Sequence, residues 1–216
     1  MMSFDVAAEA YDSFMGRYSR QLSPQLADLA GVQPGQRVLD VGCGPGALTA
    51  ELVTRLGADR VTAVDPSESV VAAARVRHPG VAVINARAED LPFEADAFDA
   101  ALAQLVVHFM SDPVAGITEM GRVTRPGGVV AACVWDHAGD GGPLSLFWSA
   151  ARALNPAVHD ESQLAGAWEG QLGELFEAAG LRDVEATTVS ANIEYATFGE
   201  WWEPFTGGSV RRGPTS

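Results

Sequence analysis

Three glycines at alternate positions, Gly42, Gly44 and Gly46, stand directly after the apolar run Val38-Leu39-Asp40-Val41 and directly before Ala47-Leu48-Thr49-Ala50-Glu51-Leu52-Val53. Few folds suit that order. Aliphatic and β-branched residues favour a short buried strand. The glycines permit positive φ and let a ligand approach the main chain. Leu48, Leu52 and Val53 then share one face of a helix. The stretch predicts strand, tight turn and helix, with unpaired N–H groups at the helix start, a setting that favours anionic groups.

The same alternation continues along the chain. Val61–Asp65, Val81–Ile84, Ala97–Gln104 and Val129–Trp135 read as further strands. Ser67–Val76, Pro113–Val123, Leu144–Leu154, Gln171–Ala179 and Phe198–Phe205 read as helices. Two helices precede the first strand, Val6–Tyr18 and Leu22–Leu29, and Val184–Tyr195 reads as a long strand. Strands alternating with helices imply an α/β fold, a doubly wound and mostly parallel sheet with helices on both faces. At 216 residues the chain suits a single domain, 1–216.

Composition narrows the function. Hydrophobic residues make up 47% and charged ones 19%, as in a globular chain. A net charge of -14 opposes phosphate backbones, so no nucleic-acid partner is expected. The two cysteines, Cys43 and Cys133, lie in apolar segments and fit reduced thiols in a cytoplasmic protein. The start, Met1-Met2-Ser3-Phe4-Asp5, lacks the basic region of a signal peptide. The run Val129–Trp135 is too short for a bilayer, which needs about 20 apolar residues. No membrane partner is expected, and no Cys/His cluster suggests a metal.

Asp40-Val41-Gly42-Cys43-Gly44-Pro45-Gly46 resembles the first motif of Rossmann-like, class I S-adenosylmethionine-dependent methyltransferases, of the small-molecule and quinone type. An acid before the glycines and a proline in the turn separate it from dinucleotide folds. The resemblance extends from about Tyr11 to Tyr195. It implies S-adenosyl-L-methionine as cofactor, with Asp40, Gly42, Cys43 and Gly44 near its amino acid moiety. Asp65, about twenty residues beyond the glycines, would take the ribose hydroxyls, beside Pro66. Helix capping ahead of Pro66 and Ser67 is the plainer reading of Asp65. Ala88-Glu89 matches the loop that holds the adenine edge, although Arg87 stands where many members have Asp. Gln104 would lie under the cofactor. Phe98-Asp99 and Arg122-Val123-Thr124-Arg125-Pro126-Gly127-Gly128 match structural motifs of the family, with packing and turn roles.

The resemblance also divides the domain: a helical lid over 1–30 carrying Tyr11 and Arg17, a cofactor-binding core over 37–136, an acceptor-covering insertion over 137–170, and a C-terminal helix, strand and tail over 171–216. Arg17 would meet the cofactor carboxylate; the plainer reading of the aromatic stripe around Tyr11 is core packing. In this fold a last strand inserts antiparallel beside the fifth. Nothing after Phe205 has the alternation of a strand, so that strand is expected to be absent and the sheet edge open. A homodimer sharing sheet edges, or a shifted sixth strand, would cover it.

The function implied is methyl transfer to a small-molecule acceptor. Gln104-Leu105-Val106-Val107-His108-Phe109 lacks the Pro-Pro signature of enzymes acting on amines of bases. His108 is the candidate general base, with His137 and Asp136 behind it, and His108 also reads as a pocket wall. Two other readings stand beside methyl transfer: a non-catalytic S-adenosylmethionine-binding protein, and a nicotinamide-dependent oxidoreductase, whose G-x-G-x-x-G spacing the chain lacks.

Overall fold

The computed structural model describes residues 3–139 and 141–206, with side chains from Met15 to Glu203. Five strands, β1 (Val38–Val41), β2 (Val61–Asp65), β3 (Ala82–Asn85), β4 (Phe98–Gln104) and β5 (Thr124–Cys133), form one parallel sheet in the order β3-β2-β1-β4-β5. Between and around them lie α1 (Ser3–Leu29), α2 (Ala47–Leu56), α3 (Glu68–Arg77), α4 (Pro113–Val123), α5 (Ser145–Leu154), α6 (Gln171–Ala178) and α7 (Phe198–Thr206).

The sheet is covered on both faces, which is why β1 reads as an unbroken apolar run around one acid: all four of its residues are buried. Side chains alternate between faces. Val38 joins Leu22, Leu26, Leu48, Leu52 and Val71 in the core under α1, α2 and α3. Leu39 and Val41 join Ile117, Met120, Val123 and Phe176 in the core under α4 and α6. Asp40 falls on the α2 side. The strand order reverses direction between β1 and β4, and at such a switch point the connections diverge and leave a crevice at the strands' carboxyl ends.

Three sequence expectations are corrected. The two N-terminal helices are one, α1, with Pro24 inside it. Proline removes one backbone bond, but Leu22, Leu26 and Ala27 are buried against the domain, and tertiary packing carries the helix through the defect. Strand β5 starts at Thr124, ahead of Val129, and ends at Cys133, ahead of Trp135; a register irregularity opposite Phe98 and Ala100 absorbs the Pro-Gly-Gly turn. Asp99 anchors that corner by accepting from Arg37 N (2.7 Å) and from Arg125 Nε (2.6 Å).

The third correction is Val184–Tyr195, which forms no strand. Its period-2 burial is real: Val189, Ala191, Ile193 and Tyr195 are half-buried, and the residues between them are exposed. What it lacks is a neighbouring backbone. Gln21 and Gln25 of α1 take that place. The Gln25 amide donates to Ser190 O (2.8 Å) and accepts from Ser190 N (3.2 Å), while Gln21 does the same with Asn192 (2.9 Å each way). One helical turn rises about 6 Å over four residues, and two extended residues span about 6.7 Å, so the two glutamines match alternate residues of the segment. Among the described residues no strand follows β5, which pairs with β4 alone. The tail after Thr206, where the sequence expected no strand, lies outside the described residues.

The double variant Gln21→Ala/Gln25→Ala tests this docking. Each exposed amide pair contributes about 1 kcal/mol, so amide exchange at Ser190 and Asn192 should speed up several-fold while the sheet core keeps its protection. Unchanged exchange at both amides would show that something else holds the segment.

Candidate functional site

The crevice at the switch point is lined by Ser19, Asp40, Gly42, Cys43, Gly44, Pro45, Ala47, Leu48, Gln104 and Leu105, an open cleft of about 350 Å³. Its floor is the glycine turn. Gly42 N (2.8 Å) and Cys43 N (2.9 Å) both donate to Val64 O, tying the turn to the end of β2. Gly42 has φ 71°, and a Cβ there would collide with Val106. Gly44 has φ 53°, and a Cβ there would meet nothing within 4 Å. The first glycine serves packing. The second leaves main chain open to a ligand.

Asp40 is 1% exposed. Thr49 Oγ1 donates to its Oδ2 at 2.5 Å, and its Oδ1 is buried without a partner. Burial pushes its pKa up to about 7, against the pull of the Thr49 hydrogen bond. A buried carboxylate oxygen left unpaired is costly unless something binds it. Gln104 repeats the pattern: its amide donates to Ser19 O (3.1 Å), and its Oε1 is buried and unpaired. Two acceptors without donors therefore face one cleft, the complement of a cationic, hydrogen-bond-donating group such as an ammonium.

Asp65, buried at the end of β2, accepts from Ser67 N with Oδ1 (2.9 Å) and from Gly44 N with Oδ2 (3.1 Å). Burial raises its pKa, opposed by these two bonds. Asp65 thus closes a turn onto Ser67, the residue before α3, without capping the helix, and each oxygen keeps a further lone pair. Pro66 beside it is exposed. Cys43 is a buried free thiol whose pKa burial and the nearby Asp40 and Asp65 push up, so it is a packing residue without thiolate character.

Ala88 is buried under α4, where Cβ of a residue at Gly116 would approach it. Glu89 Oε1 accepts from Ser111 N (2.7 Å) and Asp112 N (3.3 Å), and Arg87 donates to Ser111 Oγ (2.6 Å). Burial pulls the Glu89 pKa up, but the backbone donors and Arg87 hold it below the usual range. The departure at Arg87 has a structural use: with Glu89 it fastens the β3–β4 connection to the start of α4.

Arg17 pairs with Glu200 (3.8 Å) and lies over the Tyr195 ring, 5.3 Å from its centroid. Tyr18 meets Tyr195 through their hydroxyls (2.8 Å) and touches Trp135 edge-on. The side chain of Tyr11 lies outside those described. His108, in the short 3-10 turn Val107–Phe109, is buried at 9% exposure. Burial, helped by His137, lowers its pKa to about 4, so it is neutral, and its Nδ1 has no partner.

Sequence reasoning underrated one group. His137 follows β5 and stands 5.7 Å from His108, ring centre to ring centre. Its Nδ1 is 3.6 Å from Glu161 Oε2, which also accepts from Trp148 Nε1 (3.1 Å). Glu161 is 24 residues further on in a segment with no motif, so only the fold reveals this pairing.

Comparisons with known proteins agree with this geometry. The methyltransferase domain family profile matches residues 39–132. A demethylmenaquinone methyltransferase from Beutenbergia cavernae is 42% identical over 180 residues, 77% of this chain and 74% of that protein. A malonyl-[acyl-carrier protein] O-methyltransferase from Erwinia billingiae is 36% identical over 128 residues, 59% of this chain; the chain spans half the length of that relative. Among solved structures, the [4+2]-cyclase SpnF superposes with a TM-score of 0.57 at 28% identity, over 74% of this chain and 56% of that one. Glycine turn, switch-point cleft and relatives together place the chain in the Rossmann-like, class I S-adenosylmethionine-dependent methyltransferase family.

Proposed function

We propose that this protein transfers a methyl group from S-adenosyl-L-methionine to a small-molecule acceptor. The observation that carries the cofactor assignment is the pair of buried, unpaired acceptors, Asp40 Oδ1 and Gln104 Oε1, in the cleft beside the open main chain of Gly44. They fit the ammonium of the methionyl moiety. Asp65 would take the ribose hydroxyls with its remaining lone pairs, next to Pro66, and the backbone of Ala88 with Glu89 would border the adenine. Cys43 and Gly42 would supply main chain to the floor. When bound, the cofactor supplies an already activated methyl group. The chain's task is to hold the acceptor in line with it and to exclude water.

The relatives' names point to acceptors such as a demethylated quinol or an acyl carboxyl, and we extend only the coarser class to this chain. Segment 1–30 would close over the cofactor with Tyr11, and Arg17 would exchange Glu200 for the cofactor carboxylate. The cofactor-binding core would be 37–136, and segment 137–170 would cover the acceptor. His108, buried and neutral, would contribute wall surface or the base. Among the described residues no group of three or more His, Cys, Asp or Glu side chains is placed to hold a metal. No helix there is long and apolar enough to cross a membrane. The unpaired edge of β5 suits a homodimer; light scattering should then show mass rising with concentration, and a constant monomer mass would contradict it.

A second reading is cofactor binding without methyl transfer; the similar structure named as a [4+2]-cyclase shows that the fold is not confined to proteins named methyltransferases. Two measurements decide. Asp65→Ala should weaken S-adenosylhomocysteine binding in calorimetry by about 1–3 kcal/mol, as loss of charged hydrogen bonds does; unchanged affinity would remove Asp65 from the site. Incubation with methyl-labelled S-adenosylmethionine and a metabolite extract should give label in a small molecule with release of S-adenosylhomocysteine. Tight binding with no turnover would favour the second reading.

A further inference from the structure

His137 borders a small open hollow that it shares with Gly142, Ser145, Trp148, Arg152, Asp160, Glu161 and Ser162. It belongs to the insertion after β5, yet it opens from the same strand ends as the cofactor cleft. Leu105 N donates to Cys133 O (2.8 Å), so the residues leading to His108 and to His137 leave neighbouring strands side by side. The pocket is polar and organised. Trp148 Nε1 pins one oxygen of Glu161 facing His137 Nδ1. Arg152 neutralises Asp160 (2.5 Å), and Asp160 in turn accepts from Ser162 N (3.0 Å), which fixes the short turn Glu161–Gln163. A Cβ at Gly142 would stand 3.0 Å from His137 Nδ1, so the glycine leaves that nitrogen room. Asp136, exposed, accepts from Gly139 N (2.8 Å) and shapes the loop that carries His137.

The geometry points to His137 as the general base for an acceptor that carries an ionisable O–H, with Glu161 as its positioning residue. This rests on the methyl-transfer reading and adds the class of acceptor. At 3.6 Å the Glu161 carboxylate is within electrostatic reach of Nδ1 and one small rotation from a hydrogen bond, and such contacts tighten when substrate binds. A carboxylate on Nδ1 keeps the proton there and leaves the Nε2 lone pair free. In the transfer, the acceptor oxygen forms a bond to the methyl carbon and the carbon–sulfur bond breaks. Its electron pair stays on sulfur, and the O–H proton passes to Nε2 and then to water. The groups that set the charge of His137 are Glu161, Asp136 and Asp160, which favour its protonated form, and burial, which outweighs them and lowers its pKa; His108 faces it from the β4 side as a neutral ring. His137 is thus unprotonated at neutral pH and ready to accept. His108, deeper and with its pKa near 4, is the weaker base and completes the wall.

The test uses the whole chain saturated with S-adenosylhomocysteine, with phenol as probe and anisole, which lacks the O–H, as control. Imidazole resonances are followed by NMR across pH. Phenol, its O–H donating to the unprotonated Nε2, should shift the His137 resonances and lower its pKa further, and anisole should do neither. In Glu161→Gln the His137 pKa should fall by about one unit, the Nδ1-protonated tautomer should lose population, and phenol should bind roughly five-fold more weakly, with S-adenosylhomocysteine affinity unchanged. Trp148→Phe, which unpins Glu161 without removing its charge, should shift the tautomer in the same direction. Identical His137 titration in wild type and Glu161→Gln, or equal responses to phenol and anisole, would overturn the assignment. Loss of S-adenosylhomocysteine binding by the wild-type chain would instead strike the methyl-transfer reading.

Discussion

The tie between the glycine turn and the end of β2 organises the site. Two consecutive N–H groups, of Gly42 and Cys43, converge on Val64 O, and the next glycine donates to Asp65. This arrangement bends the chain sharply out of β1 and starts α2 at Ala47. It also sets Asp65 beside Gly44, so the two places where a nucleoside and its amino acid tail would sit share one rigid corner. The positive φ at 42 and 44 favours glycine. The collision that a Cβ at 42 would make with Val106 couples the turn to the start of the His108 segment.

Against that corner the protein holds an unfavourable group. Asp40 is buried on the central strand with one oxygen unpaired. Its pKa is raised to about 7, well above that of an unfolded aspartate. The stability this implies is full below the unfolded value and is lost as pH rises through about 7. A ligand cation that pairs with Asp40 reverses that loss, so binding energy and the relief of a buried charge are one term. Binding sites are where such uncompensated groups are expected.

The sheet, its helices and the cleft were legible in the sequence because they follow from periodicity and from the glycine turn. All five strands of the sheet were expected, and α4 matches its predicted limits. The misreadings share a cause. Val184–Tyr195 has the alternation of a strand, but a strand also needs a backbone neighbour, and here the glutamine amides of α1 replace it. The break expected between Tyr18 and Leu22 is absent, because Tyr18, Leu22 and Leu26 bury one continuous face of α1. At the site, Asp40 and Gly44 stand in one motif and Asp65 ends the next strand, so their places at the carboxyl ends of neighbouring strands follow from the pattern. Glu161 could not be found, since its relation to His137 exists only after α5 brings Trp148 and the turn at Glu161 back over the end of β5.

The central claim is that the cleft binds the cofactor's ammonium through a carboxyl that is half-protonated near neutrality. Calorimetry of S-adenosylhomocysteine binding at pH 6 in buffers of different ionisation enthalpy tests it most directly. Charging Asp40 should release a proton, approaching one per site, and Asp40→Asn should abolish the release and weaken binding. At pH 8, where Asp40 is already ionised, the release should disappear. Binding at pH 6 with no proton released, or with the same release in Asp40→Asn, would contradict the account.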